Sequence, residues 1–331
     1  MKKLVVIMFI LFLILLTACS SENNNTKENI KYVTFTLNTH DWVYPEKSVE
    51  TVEKILDIHE KYNVKLDIYL TDPMIQLYTK EHPEVMKRLL KDSNLVAINY
   101  HVRPPSPYYE NFDWLGLSKM DDNILYNTLL DYEEHEIDLS TGKTTTNPGG
   151  YEYLKEIIGY PPIITSPLAA GNIEKEINKI FKEKGATFTI AHGIDSPSLG
   201  QKKDGLYIKP ETADILLYEY LGAGESSAEI MKNETKGESG DPFFVAIKMH
   251  ENNFYSNTAP WRLIVYKDEK SHGIAGPPFN HVITDEEEAG LLHTDQESEE
   301  MWQMYEDMVK YVSKHPEQFK SINAFDLKEM I

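Results

Sequence analysis

Histidines and carboxylates gather where the apolar runs of this chain stop. The stretch TFTLNTHDWVYP, Thr34 to Pro45, alternates apolar and polar residues and then reaches Asn38, His40 and Asp41. A second apolar run ends at Asp72, a third at His101, and one near Ile164 at Ser166. The next ends at His192 with Asp195 close by, and FFVAIKMHE ends at His250 and Glu251. One imidazole at a strand end commonly serves only a hydrogen bond. Four of them beside carboxylates suit a divalent metal, because zinc accepts His nitrogen together with Asp oxygen and keeps a position for water. HENNF lacks the second histidine of H-E-x-x-H and follows a strand rather than lying on a helix, which excludes a zincin. His59, His82, His135 and His315 sit on helices or helix ends and receive no function.

Such residues act together only if their elements bring those ends to one place. Apolar alternation predicts strands over Tyr32–Leu37, Val64–Leu70, Asn94–Tyr100, Ile163–Thr165, Ala186–Ala191, Phe243–Met249 and Ser321–Ala324. Three- and four-residue spacing predicts helices over Glu46–Tyr62, Gln76–Lys91, Ile173–Lys184 and Ser298–Lys314. This alternation implies an α/β fold with parallel strands joined by right-handed crossovers. No glycine-rich phosphate loop follows the first strand, so an open dinucleotide-type sheet has little support. The expectation is a (β/α) barrel, with seven rather than eight strands, whose strand ends converge on one face. Asp121–Gly149 reads as a helix and then a surface loop. Asn252–Leu292 is a long excursion, either a lid or a decorated loop.

These stretches carry a resemblance. VTFTLNTHDW is similar to the first motif of the polysaccharide deacetylase family, carbohydrate esterase family 4, whose NodB-type domain is a distorted TIM-like barrel. VETVEKILDIHEKYNVKLDIYL resembles that family's first helix and second strand, LVAINYHV its second-motif strand, and FFVAIKMHE its last. IITSPLAAGNIEKEINKIFKEKGATFTI resembles the third-motif segment, and HPEQFKSINAFDLKEMI the closing segment. The resemblance implies removal of acetyl groups from a glycan by metal-bound water. It places a metal ligand at Asp41, the first histidine of H-x-x-x-H at His101, and the general acid at His250. It also puts Asn38 at the catalytic base, Pro105 at the second histidine, and no arginine near Ser166. Two routes follow. Either the site is rebuilt, with His40 as a substitute ligand to zinc or a similar ion and Glu251, Asp195 or Asp72 as the base, or the fold binds cell-envelope glycan without that chemistry. Trp42, Tyr108, Tyr109 and Trp261 are candidate sugar-stacking residues, or else loop anchors packed into the core.

The N-terminus and the composition bound the partners. Met1-Lys2-Lys3, an apolar Leu4–Leu16 and LTAC at residues 16–19 resemble a lipoprotein signal over residues 1–18, with lipid on Cys19. The apolar run is shorter than the ~20 residues of a spanning helix. Residues 19–30 read as a polar tether, and 31–331 as one barrel domain. The expected location is the cell membrane, lipid-anchored on its extracytoplasmic side. Cys19 is the only cysteine, so no disulfide supports the domain. Fifty-three acidic against 33 basic residues give a charge of −20, and loss of Lys2 and Lys3 makes it −22. That balance argues against nucleic acid and against charge-driven docking on anionic lipid.

Overall fold

The computed structural model describes residues 30–110, 112–191, 193–267 and 273–331. Cys19, the signal segment and His192 lie outside these residues.

The first strand, β1 (Lys31–Thr39), shows how the sequence builds the fold. Val33, Phe35 and Leu37 point to one side and are fully buried in the main hydrophobic core. Thr34, Thr36 and Asn38 point to the other and are almost as buried. A strand covered on both faces belongs at the centre of a parallel sheet. There β1 pairs with β11 (Phe243–His250) along one edge and with β2 (Leu66–Leu70) on the other. Pairing as far as Asn38↔His250 and Thr39↔Leu70 explains why β1 runs two residues past the expected Leu37. A short strand, β12 (Phe319–Ser321), fills the first part of the β2 edge and pairs with Lys31–Val33.

The remaining strands are β3 (Val96–His101), β6 (Ile164–Ser166), β7 (Phe188–Thr189), β8 (Lys202–Lys203), β9 (Leu206–Ile208) and β10 (Ala213–Leu216). The sheet has ten strands in the order β10-β11-β1-β2-β3-β6-β7-β9-β8, with β12 attached to β1, and every pairing except β8–β9 is parallel. It curls. Lys209, just after β9, donates to Thr34 Oγ1 of β1 at 3.3 Å, although four strands lie between them in the sheet. The expected α/β barrel architecture is therefore present, with ten strands in place of seven. Inward side chains Tyr69, Ala97, Ile164, Phe188 and Phe244 fill the barrel's interior, closed at one end by Ala324 and Leu327.

Helices cover the outer face. α1 (Pro45–Tyr62) starts with Pro at its first turn and ends on Asn63 at φ 51°, the left-handed conformation that Asn tolerates. The expected helix 76–91 is two helices, α2 (Asp72–Lys80) and α3 (Pro83–Leu89), because Pro83 disfavours helical geometry at His82. After α4 (Asp122–Glu134), the expected surface loop forms a hairpin, β4 (His135–Ile137) with β5 (Thr144–Pro148). α5 (Gly150–Ile158), α6 (Gly171–Lys184), α7 (Ser227–Glu234) and the 20-residue α10 (Asp295–Lys314) follow. α8 (Arg262–Val265) and α9 (Asp285–Glu288) are short, and α11 (Ala324–Lys328) ends the chain. Among the described residues no helix is long and apolar enough to cross a membrane.

Candidate functional site

Parallel register sets the site. Asn38 of β1 lies opposite His250 of β11 and Tyr69 of β2, and His101 of β3 lies opposite Ser166 of β6. Beyond Thr39 the chain turns so that Val43 N–H donates back to Asp41 Oδ1 at 3.2 Å. His40 and Asp41, which a continuing strand would send to opposite faces, are both fully buried at the barrel mouth.

Glu251 organises this turn. Its Oε1 accepts the backbone N–H groups of His40 and Asp41, both at 2.5 Å. Burial, reinforced by the neighbouring Asp41 charge, pushes the Glu251 carboxyl up to about 8, so it is largely protonated at neutral pH. Burial also raises Asp41 to about 6, against the opposing pull of Tyr255 O–H, which donates to Asp41 Oδ2 at 2.5 Å, and of Val43. Trp261 Nε1–H donates to His40 Nδ1 at 2.9 Å. Burial holds His40 well below the ordinary histidine range, helped by His250, Arg103 and His101. Burial, Arg103 and Lys248 bring His250 down to about 3. Both rings are therefore neutral at pH 7, packed edge to face with centroids 4.8 Å apart.

These bonds test the expected ligand set. His101 suits a metal, because its Nδ1 faces the Ser166 carbonyl at 2.9 Å. That oxygen can only accept, so the proton sits on Nδ1 and the lone pair on Nε2. His40 does not suit one. An indole N–H can only donate, so the Nδ1 lone pair is taken and the ring proton is on Nε2, the atom that would have to coordinate. Asp41 has one oxygen on a backbone amide and the other on a hydroxyl. Among the described residues no three His, Cys, Asp or Glu side chains are grouped to hold a metal. The arrangement does not fit the zinc-type centre expected from Asp41, His101 and His40.

Other expectations change as well. Asp72 is not a base, since its carboxylate caps the backbone N–H groups of Ile137 and Gly150 and accepts from Gln76. Asp195 is exposed, unlike the buried His40, Asp41 and Glu251. Tyr108, Tyr109 and Trp261 are not sugar platforms. Tyr108 is 1% exposed and donates to Glu133, and Tyr109 and Trp261 are buried with Phe112 and Phe279 in a separate aromatic cluster. These are the loop anchors of the alternative reading. Trp42 stays partly exposed, stacked on Trp261 with centroids 6.4 Å apart. It borders a cleft of ≈ 560 Å³ with Gln76, Lys80, Glu136, Asp138 and Thr145. His250 is half-buried at the mouth.

Sequence reasoning missed Arg103. It sits in HVRPP, directly after β3, and is 7% exposed, its guanidinium carbon 4.5 Å from the centre of the Tyr109 ring. The loss of an arginine at the third motif was legible, but the burial of one in the second-motif loop was not.

No protein-family profile and no curated protein sequence matches the chain. Among solved structures, a 4-alpha-glucanotransferase from Thermococcus litoralis is similar at 11% identity and a TM-score of 0.48. The match covers 91% of this chain, which spans only 40% of that protein's length. A pseudoenzyme of carbohydrate esterase family 4 from Bacillus anthracis is similar at 12% identity and a TM-score of 0.35, over 68% of this chain and 58% of that one. The family 4 domain of a multidomain xylanase from the hindgut metagenome of Trinervitermes trinervoides is similar at 13% identity and a TM-score of 0.40, over 91% of each chain. Identities of this size with TM-scores below 0.5 carry no activity, substrate or family membership over to this chain.

Proposed function

We propose that this protein is a glycan-binding barrel of deacetylase-like build, held on the outer side of the cell membrane through lipid on Cys19, which recognises carbohydrate in the cleft beside Trp42 and does not hydrolyse it. The observation that carries this reading is the Trp261–His40 bond. It turns the one substitute ligand into a donor, while Tyr255 and Val43 occupy Asp41. Asn38 stands where the resemblance puts a base, and an amide takes no proton at neutral pH. For carbohydrate itself, support comes from the cleft beside Trp42. A part-exposed indole bordered by Gln76, Lys80, Glu136 and Asp138 offers an apolar face and a polar rim to a sugar ring.

A second reading, metal-dependent deacetylation, is favoured by one observation, the Nδ1–H tautomer of His101. A single experiment separates the two. The full-length protein is titrated with a neutral N-acetylglucosamine oligomer and separately assayed for acetate release with added zinc or cobalt. The binding reading expects saturable binding that survives His101→Ala and weakens about tenfold or more in Trp42→Ala, with no acetate released. Acetate release abolished by His101→Ala would establish the hydrolase instead.

A further inference from the structure

Several buried polar atoms face no partner among the described residues, and two of them are nitrogen donors on side chains more than nine-tenths buried at the barrel mouth. One is Arg103 Nη1, on a side chain more than nine-tenths buried. The other is His40 Nε2, on a ring with no exposure, which must carry the proton because Trp261 occupies Nδ1. Among the described residues no Asp or Glu oxygen forms an ion pair with Arg103. The carboxyl groups that act on it are Glu110 and Glu251; Glu251 Oε1 is already spent on the amides of His40 and Asp41, and its Oε2, which has no partner among the described residues, belongs to a carboxyl that is largely protonated at neutral pH. Geometry joins the two: the Tyr109 ring under Arg103 packs against Trp261 with centroids 5.9 Å apart, Trp261 bonds His40, and His40 packs on His250, the half-buried member of the set. A desolvated guanidinium without a partner is costly, and its planar fork matches a carboxylate or a phosphate better than any neutral group.

We infer that Arg103 and His40 form a binding site for an anionic oxygen group, a carboxylate or a phosphate, entered past His250. Placing that group on a glycan, as an acidic sugar or a phosphorylated one, rests on the proposed function; the anion site itself does not. The Tyr109 ring under the guanidinium and the Trp261 indole behind His40 fix the two donors before the ligand arrives, which lowers the ordering cost of binding. Trp42, stacked on Trp261, would join this site to the outer cleft.

The test is calorimetric titration of the full-length protein with glucuronate, inorganic phosphate and glucose at constant ionic strength. Saturable binding of glucuronate, phosphate or both, with none of glucose, is expected. Glucuronate alone would identify a carboxylate ligand and phosphate alone a phosphorylated one. Arg103→Gln should weaken the anion about tenfold or more, the loss expected for one charge-assisted bond. If Arg103→Gln does not fold, Arg103→Lys takes its place, together with wild-type thermal unfolding in phosphate or glucuronate against chloride. Absence of anion binding, equal melting temperatures in all three anions, or affinity indifferent to the Arg103 substitution would overturn the inference. Neutral oligomer binding that persists in that case leaves the proposed function standing. Anion binding without oligomer binding does the reverse.

Discussion

Trp261 donates its indole N–H to His40 Nδ1 across 221 residues of sequence, and this bond fixes which His40 nitrogen holds the proton. Trp261→Phe keeps most of the ring and removes the donor. The expected cost is about 1–3 kcal/mol, from one lost hydrogen bond and a partly unfilled buried volume. A structural effect alone would stop there. Nitrogen-detected NMR of the imidazole should show wild-type His40 protonated only at Nε2, and a mixture of both tautomers in the variant. A wild-type ring protonated at Nδ1 would remove the argument against His40 as a ligand and the second donor of the anion site.

Glu133 gives the fold a pH dependence away from that site. It is fully buried between α4 and α5, accepts from Tyr108 O–H and from Tyr151 N–H, and burial raises its carboxyl from 4.5 to about 7. A group whose folded value is raised binds more protons folded than unfolded. Its contribution is therefore complete below pH 4.5 and is lost as pH rises through 7, by about 3 kcal/mol. Glu133→Gln should remove that slope, because the Tyr108 hydroxyl can turn to accept from the new amide. Urea unfolding at pH 5 and pH 8 measures it, and an unchanged difference between the two pH values would show that Glu133 is not the group responsible.

The parts of this site legible in the sequence were those that strand alternation dictates. Once β1 and β11 are parallel strands with two buried faces, Asn38 and His250 must share the inward face, and the sequence places both at strand ends. Pro83 announced the break between α2 and α3, though periodicity alone ran through it. β8, β9 and β10 were missed because each has only two to four residues, and β8 and β10 also carry Lys202, Lys203 and Asp214, leaving no alternation to read. Arg103 was missed for a different reason. An arginine in HVRPPSPYY reads as a solvated loop residue, yet it lies on the ring of Tyr109, which is itself held in an aromatic cluster with Phe112 and Trp261 gathered from segments far apart in sequence. The same distance hid the Trp261–His40 bond, so His40 kept the appearance of a ligand.

Gly149 tests the hairpin that replaced the expected surface loop. A Cβ on Gly149 would lie 2.1 Å from the Glu136 backbone nitrogen and 2.3 Å from the His135 carbonyl carbon, contacts no flexible side chain can relieve. Gly149→Ala should force β4 and β5 apart and cost about 1–3 kcal/mol, the usual range for overpacking. Since Asp72 caps Ile137 at the end of β4, hydrogen exchange of the Ile137 amide is the direct readout. Protection equal to wild type would mean that the strands close past the added methyl.

Inside the barrel, Lys209 is wholly buried and bonds Glu211 at 2.8 Å, while Lys248 reaches the other oxygen of the same carboxylate at 2.6 Å. Burial alone would raise Glu211, but the two lysines bring it down to about 2. A depressed carboxyl contributes stability above its unfolded value near 4.5, and that contribution is lost as pH falls toward 2. Lys209→Met keeps most of the unbranched side chain, one atom shorter, and removes the charge, leaving burial of Glu211 offset by Lys248 alone. Stability at pH 7 should fall by roughly 3 kcal/mol, as when one partner of a buried ion pair is deleted. The loss between pH 4.5 and 2.5 should also become shallower, because Glu211 then titrates nearer its unfolded value. Urea unfolding across that range decides the matter: a variant within about 0.5 kcal/mol of wild type at pH 7, on the scale of a neutral surface change, would show that the Lys209–Glu211 pair does not hold the curled sheet closed.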